Sequence, residues 1–466
     1  MRPSRPRSLG DWKAIDTPNN KFVANINYIM AALLTAEMAS AVGESADAVA
    51  DLALAAALSR ALQAKFFDAA GKRWDAGSQS AQILALAFGA GDASVQQPAA
   101  DALVAALAAA NGHATFGASG SRFALGVLHD VVQRPDLALE LALSQGYPSW
   151  QLMVSNASMP GTAWEGWNGP VEPDGSSDNH VRALAAAATV GRVRTTAAHR
   201  PPTPIARPQI FKAGGITPFL LEQALGLDFA MRPRAAAEAG GDCACEAALD
   251  LPFSLRGRFG FSCAHVAALC EVVSAGAGGA ARPLGELREA AAAALARRGV
   301  TAAAEITTRG IEPRLALAVS EAAARRVGAA SGWRATPVGN VSFAWAFSPS
   351  ASRLTVRVSL PFAAEGSPLE LSLDLFRAGA NVHVSVGGVR AFSIDGEGLA
   401  VALGEAEAEA WRPEVRACAG AAARHVSGRV APRGAACGGG RVLLLRVPGG
   451  AHELELLEGQ QEAGRL

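Results

Sequence analysis

Gly146-Tyr-Pro-Ser-Trp-Gln-Leu-Met-Val154, Thr162-Ala-Trp-Glu-Gly-Trp-Asn-Gly169 and Gly175-Ser-Ser-Asp-Asn-His180 together form the stretch around which this chain is organised. It holds a proline, several glycines, three of the chain's eight tryptophans, and a carboxylate, Glu165, set between Trp164 and Trp167. A loop so polar and so aromatic does more than pack. Loops at the mouth of a rigid scaffold carry function. Flat apolar rings beside a carboxylate suit a sugar pocket, the rings stacking on the C–H face of a pyranose while Glu165 and His180 address hydroxyls or a water. A cap residue in a helix–helix loop would also account for Glu165 taken by itself.

Three short motifs stand in order here: Tyr147-Pro-Ser-Trp150, Trp164-Glu-Gly-Trp167 and Ser177-Asp-Asn-His180. In that order and proximity they resemble the C-terminal part of the catalytic domain of bacterial-type α-L-rhamnosidases, glycoside hydrolase family 78. Gly10-Asp11-Trp12 is similar to that family's Gly-Asp-Trp motif. Gly77 to Gly89 is similar to its Thr-Gln-x-Ala helix, and Asn111 to Leu125 to its Gly-His turn and the helix that follows. The resemblance implies a partial (α/α)6 barrel of the six-hairpin glycosidase type, followed by a small antiparallel β-sandwich. It also implies inverting hydrolysis of terminal, non-reducing α-L-rhamnosyl residues, with Glu165 as general base. Trp12, Trp164 and Trp167 would wall the pocket, and His180 would touch the substrate. The expected partner is a rhamnose-containing glycoside or polysaccharide.

An inverting glycosidase also needs a carboxylic acid to protonate the leaving oxygen, roughly 6.5–9.5 Å from the base. The family's acid lies in an Asp-rich segment well upstream of Gly-Asp-Trp, and nothing here matches it. Asp11, Asp16, Glu37 and Asp75 do not fit that pattern. The expectation is therefore a chain that begins partway through its fold and is inactive without the acid. The alternative is a catalytically dead carbohydrate-binding or scaffold protein derived from such a barrel.

The remaining sequence is read from its periodicity. Val23, Ile26, Met30, Leu33 and Leu34, then Val49, Leu52, Leu58, Leu62 and Phe66, recur at helical spacing. Gly43 breaks the first segment from the second, and Ser78 or Ser80 is a plausible N-cap for a third helix. Short connections between such segments predict helical hairpins over residues 11–232. Gln79, Gln82, Arg122, His113 and His129 read as structural residues of these hairpins. Val181 to Ala213 is rich in Ala, Arg and Pro and departs from the family pattern, so it is expected to be an exposed, loop-like insert. Residues 233–330 read as low-complexity linker or insertion, with a helix between Glu286 and Arg298. From 331 to 460 the period becomes two, in Val341, Phe343, Trp345 and Phe347 and again in Leu354, Val356, Val358 and Leu360. Those are the strands of a sandwich.

Bulk properties set outer limits. At 466 residues there is room for two or three domains, and the net charge of +0 gives no footprint for nucleic acid or an anionic membrane. No continuous run of about 18 apolar residues is present, so no membrane span is expected. All six cysteines follow position 240, and Cys243-Ala-Cys245 lacks zinc-knuckle spacing. Neither a metal nor a cofactor is expected, and disulfides are open.

Overall fold

The computed structural model describes residues 10–155, 166–167, 216, 218–233, 243, 245–251, 255, 259–275, 282–300, 311–336, 339–361, 368–376, 380–394, 399–401, 411–417 and 441–458. A helical N-terminal region is followed by two β-sheets, one of them mixed. Helices α1 (Asn20–Ala41) and α2 (Ser45–Phe66) form a hairpin, because three residues between them leave only an antiparallel return. The Asn19 side chain caps α1 by accepting from the Lys21 amide at 2.9 Å. Phe22, Val23, Ile26, Ile29 and Leu33 give α1 a buried face, whereas Tyr28, Leu34, Met38 and Val42 stay exposed. By length and composition α1 could cross a bilayer, a match that the lack of a continuous apolar run did not anticipate. Its buried face instead belongs to the core shared with α2.

A two-strand ribbon, β1 (Phe67–Asp68) with β2 (Arg73–Trp74), leads into α3 (Gln79–Phe88). Ser78 caps α3, and Gly89 ends it in the left-handed conformation at φ 57°. Then follow α4 (Gln96–Ala109), α5 (Ala118–Gly126), α6 (Pro135–Leu143) and α7 (Trp150–Ser155). Proline opens α6 at its first turn, where no amide donor is needed. The backbone leaves α5 through a π-helical turn, Val127–Val131.

Residues 233–330, expected as linker or insertion, contain two helices of this core. Helices α8 (Cys263–Ala275) and α9 (Leu284–Ala296) both pack against α2. His265 Nε2 lies 3.0 Å from Ser45 Oγ, Ser40 Oγ donates to the Phe259 carbonyl at 2.5 Å, and Arg288 pairs with Asp47 at 2.9 Å. Two disulfides, Cys243–Cys263 and Cys245–Cys270, fasten the preceding segment to α8. The alanine-rich surface of these helices leaves little contrast between faces, which is why their pattern reads as weak.

The seven-stranded sheet is ordered β11-β10-β9-β14-β7-β6-β5. Its strands are β5 (Ala329–Thr336), β6 (Gly339–Ser348), β7 (Arg353–Leu360), β9 (Val382–Val386), β10 (Val389–Ile394), β11 (Leu399–Val401) and β14 (Gly450–Glu458). The five-stranded sheet is ordered β12-β13-β8-β4-β3. It comprises β3 (Leu227–Pro233), β4 (Ile311–Val319), β8 (Pro368–Ser372), β12 (Glu414–Ala417) and β13 (Arg441–Arg446). Phe343, Trp345, Val356 and Leu454 of the first sheet share one buried cluster with Leu317, Leu369, Leu371 and Leu443 of the second. Two features differ from the expected antiparallel arrangement beginning at 331. The strands β4 and β8 run parallel, and the five-stranded sheet recruits β3 and β4 from well before that point. A parallel neighbour needs a long crossover, and here α10 (Glu321–Val327) and β5 to β7 supply it.

The helical region and the sheets meet at Gly226. Its φ of +83° is left-handed, and a Cβ there would lie 1.7 Å from the Ala318 carbonyl oxygen. Only glycine lets β3 approach β4 that closely. Trp345 Nε1 donates to the Leu225 carbonyl at 2.9 Å, and Arg334 pairs with Glu222 at 3.4 Å.

Candidate active site

The site is assembled from the Gly-Asp-Trp corner. Helix α5 starts at Gly117 without a side-chain cap of its own, so its first amides need a partner. Asp11 supplies it from more than a hundred residues away. Its carboxylate accepts from the Gly117 amide at 2.6 Å, Ser119 at 2.7 Å and Gly120 at 3.3 Å, and from Ser80 Oγ at 2.5 Å. The residue is 2% exposed. Negative charge at a helix N-terminus is favourable on both hydrogen-bond and dipole grounds. The role of Asp11 is architectural.

That clamp fixes the backbone on either side. The Ala118 amide donates to the Trp12 carbonyl at 2.8 Å. A Cβ on Gly117 would fall 2.4 Å from that same carbonyl oxygen, so the turn is closed to any larger residue. Trp12 is thereby held at the surface with 40% of its area exposed. Lys13, at φ 60°, brings its ammonium 5.2 Å from the Trp12 ring centroid. Its stem lies against Gly166, where an added Cβ would meet Lys13 Cδ at 3.3 Å.

Trp167 stands in a different position from Trp12. It is 2% exposed, its indole N–H donates to the Phe116 carbonyl at 2.5 Å, and its ring meets Trp150 edge-on at 5.4 Å. Phe116 completes the cluster, 5.9 Å from each indole. Trp167 therefore backs the corner from inside, while Trp12 offers a face to solvent. Trp164, Glu165 and His180 lie outside the described residues, as does the insert at 181–213. The structure thus brings together residues 10–13, 111–121, 148–150 and 166–167, the last pair following Glu165 in the chain.

Gln79 and Gln82 are zips for this arrangement. Gln79 Nε2 donates to the His113 carbonyl at 3.0 Å while its Oε1 accepts from the Thr115 amide at 2.9 Å. Gln82 makes the matching pair with the backbone of Trp74, at 3.0 and 2.9 Å. His113 Nδ1 lies 3.3 Å from the Pro148 carbonyl, tying the turn before α5 to the Tyr-Pro-Ser-Trp segment. Sequence reasoning missed the capping role of Asp11. The absence of Ser, Thr, Asp or Asn at position 117 was the signal that a distant cap was needed. Among the described residues no cluster of three or more His, Cys, Asp or Glu side chains could hold a metal ion.

Residues 3–190 match the family model of the bacterial α-L-rhamnosidase six-hairpin glycosidase domain. An α-L-rhamnosidase of Streptomyces avermitilis is 31% identical over 169 residues, which are 36% of this chain and 16% of that protein. One from an Alteromonas species is 34% identical over 116 residues, 24% of this chain and 12% of its own length. Among solved structures, the α-L-rhamnosidase of Dictyoglumus thermophilum superimposes with a TM-score of 0.51 at 13% identity, covering 96% of this chain and 34% of that one. Residues 3–190 are thus similar to the six-hairpin glycosidase domain of α-L-rhamnosidases. The matched segments are a small part of these relatives' length.

Proposed function

We propose that the chain acts on terminal, non-reducing α-L-rhamnosyl residues of a glycoside or polysaccharide, by inverting hydrolysis. Glu165 is the general base in this reading. It activates a water on the ring face opposite the leaving group. Trp12 presents the stacking surface, Trp167 supports the wall from behind, and Trp164 and His180 complete the contacts to the sugar. No described residue is assigned to protonate the leaving oxygen. The observation that carries the reading is the corner itself: an exposed indole held by a buried carboxylate clamp, packed against the segment that follows Glu165 in sequence.

The test is an aryl α-L-rhamnoside with the products followed by proton NMR. Without a carboxylic acid to protonate the leaving oxygen, turnover should be negligible and Glu165→Gln should change little. With that acid supplied, the expected first product is the anomer of inverted configuration, and Glu165→Gln then lowers turnover by about 10²–10⁴-fold, the usual weight of a general base. Rhamnose binding that quenches tryptophan fluorescence and is lost in Trp12→Ala, without turnover even then, would place the chain in the carbohydrate-binding class instead. Neither binding nor turnover would overturn both readings.

A further inference from the structure

Among the described residues of the sheets, Trp333 is the largest side chain left open, at 66% exposure. Among the described residues its indole has no hydrogen-bond or ring partner. It stands on β5, the edge strand of the seven-stranded sheet, and alternation puts Ser331 and Ala335 on the same face. Register carries that face across the sheet. Trp333 lies opposite Ser342, Ser342 opposite Ser359, and Ser359 opposite Ala451. The indole is thus followed by three short side chains in a row spanning four strands, about 14 Å at ordinary strand spacing. The next row runs Ser331, Ala344, Arg357 and Glu453, and ends in an exposed ion pair at 3.2 Å.

The platform under the indole is stiff. On the opposite face of β5, Gly332 sits against Leu225, where a Cβ would come within 2.7 Å of Cδ2. Arg334 is tied to Glu222, and Trp345, paired with Ala330, donates its indole N–H to the Leu225 carbonyl. The strand cannot roll to bury Trp333 without breaking these contacts.

We propose that this outer sheet face is a docking surface for a neutral polysaccharide, with Trp333 as the stacking residue. A pyranose offers an apolar C–H face ringed by hydroxyls, and the surface complements both parts. The indole takes the apolar face, and the shelf of Ser342, Ser359 and Ala451 leaves room for the neighbouring rings. The serine hydroxyls, Arg357 and Glu453 supply donors and acceptors to the hydroxyl rim. Other partners fit less well. A protein interface is built around a contiguous apolar centre, whereas here one indole stands among Ser and Ala. Nucleic acid or an anionic membrane would require unpaired positive charge, but Arg357 and Arg353 are paired with Glu453 and Glu455. The surface lies on the sheets, on elements distinct from those that build the Trp12 corner.

Affinity electrophoresis of the full chain through gels containing arabinoxylan, and separately arabinogalactan or soluble β-glucan, tests the proposal. Retardation by at least one of these polymers is expected. Trp333→Ala should weaken it by about tenfold, the scale of one lost aromatic contact, with Trp333→Tyr intermediate. Ser342→Glu, which sets a charged side chain beside the indole, should also weaken retardation and guards against a folding defect in the first variant. Thermal midpoints and rhamnoside turnover or rhamnose binding should be unchanged by all three. Because arabinoxylan carries no rhamnosyl end, the result does not depend on Glu165. No retardation by any polymer, or retardation indifferent to Trp333→Ala and Ser342→Glu, overturns the proposal. A Trp333-dependent change in oligomeric state, marking β5 as an edge for a second copy, would also overturn it.

Discussion

Replacing Asp11 with alanine should destabilise the helical region by about 3–5 kcal/mol, a large share of a typical domain's 5–15 kcal/mol. The figure follows from the donors it leaves behind. Three amides at the start of α5 and the Ser80 hydroxyl point at one buried carboxylate. Hydrogen bonds to a charged group contribute about 1.5–3 kcal/mol each, and losing an N-cap costs about 0.5–2 kcal/mol. These do not sum fully, because the Ser80 hydroxyl can rotate and water can enter the space vacated. Asp11→Asn keeps one acceptor oxygen but turns an amide donor toward N–H groups, so it should fall between, at about 1–3 kcal/mol. Ser80→Ala should cost about 1 kcal/mol, and the Asp11/Ser80 double mutant should show coupling. Urea unfolding followed by far-ultraviolet circular dichroism reads these values from the midpoint at constant slope. Tryptophan emission should red-shift as the Trp12 corner loosens. A loss below about 0.5 kcal/mol for Asp11→Ala would mean that α5 is capped some other way, and the reasoning would fail.

Other outcomes follow from the same structure. Asp51 is buried on α2 with Oδ2 unpartnered among the described residues, and burial raises its pKa above the ordinary carboxylate value, Arg288 opposing and Asp47 adding to the shift. A carboxyl raised in the folded state binds its proton more tightly there, so its stability contribution is present at acid pH. That contribution is lost as pH rises from the unfolded pKa through the folded one. Asp51→Asn should therefore flatten that part of the stability profile and raise the neutral-pH midpoint, and a lowered midpoint would refute this. Reduction of Cys243–Cys263 and Cys245–Cys270, which close loops of 20 and 25 residues, should destabilise the packing of α8 on α2. Each loop is worth about 3 kcal/mol by chain entropy. Thiol counting by mass spectrometry alongside a thermal melt checks it, and an unchanged melt in the reduced protein would count against it. Gly226→Ala should cost more than about 1 kcal/mol, because it combines left-handed strain with a backbone clash at Ala318. A neutral result would show that β3 can move away from β4.

Periodicity and local punctuation are properties of short segments, and they were legible in the chain. The i, i+3, i+4 recurrence of Val23, Ile26, Met30 and Leu33 specifies one buried helical face. The strict alternation of Val341, Phe343, Trp345 and Phe347 specifies one buried sheet face. The backbone engagements of Gln79 and Gln82 agree with their reading as structural residues. The motif order from Gly10 to His180 indicated the relationship to six-hairpin glycosidases that the family match supports for residues 3–190. Alanine-rich α8 carried no such signal and α9 was legible as a helix but not as part of the core, since small side chains bury about as readily on any face and the contrast between faces vanishes.

What the sequence determined by itself was local: which segments are helices, which are strands, and where aromatic and acidic residues gather. Tertiary structure alone decided the distant pairings. Asp11 became the cap of α5, β4 became the parallel neighbour of β8, and Trp12 and Trp167, both expected to wall one pocket, separated into an exposed face and a buried support. The physical reason is that an orphan helix amide, a strand edge or an indole face can be satisfied by any complementary group in reach. Reach between residues a hundred positions apart is set by the packing of the whole core.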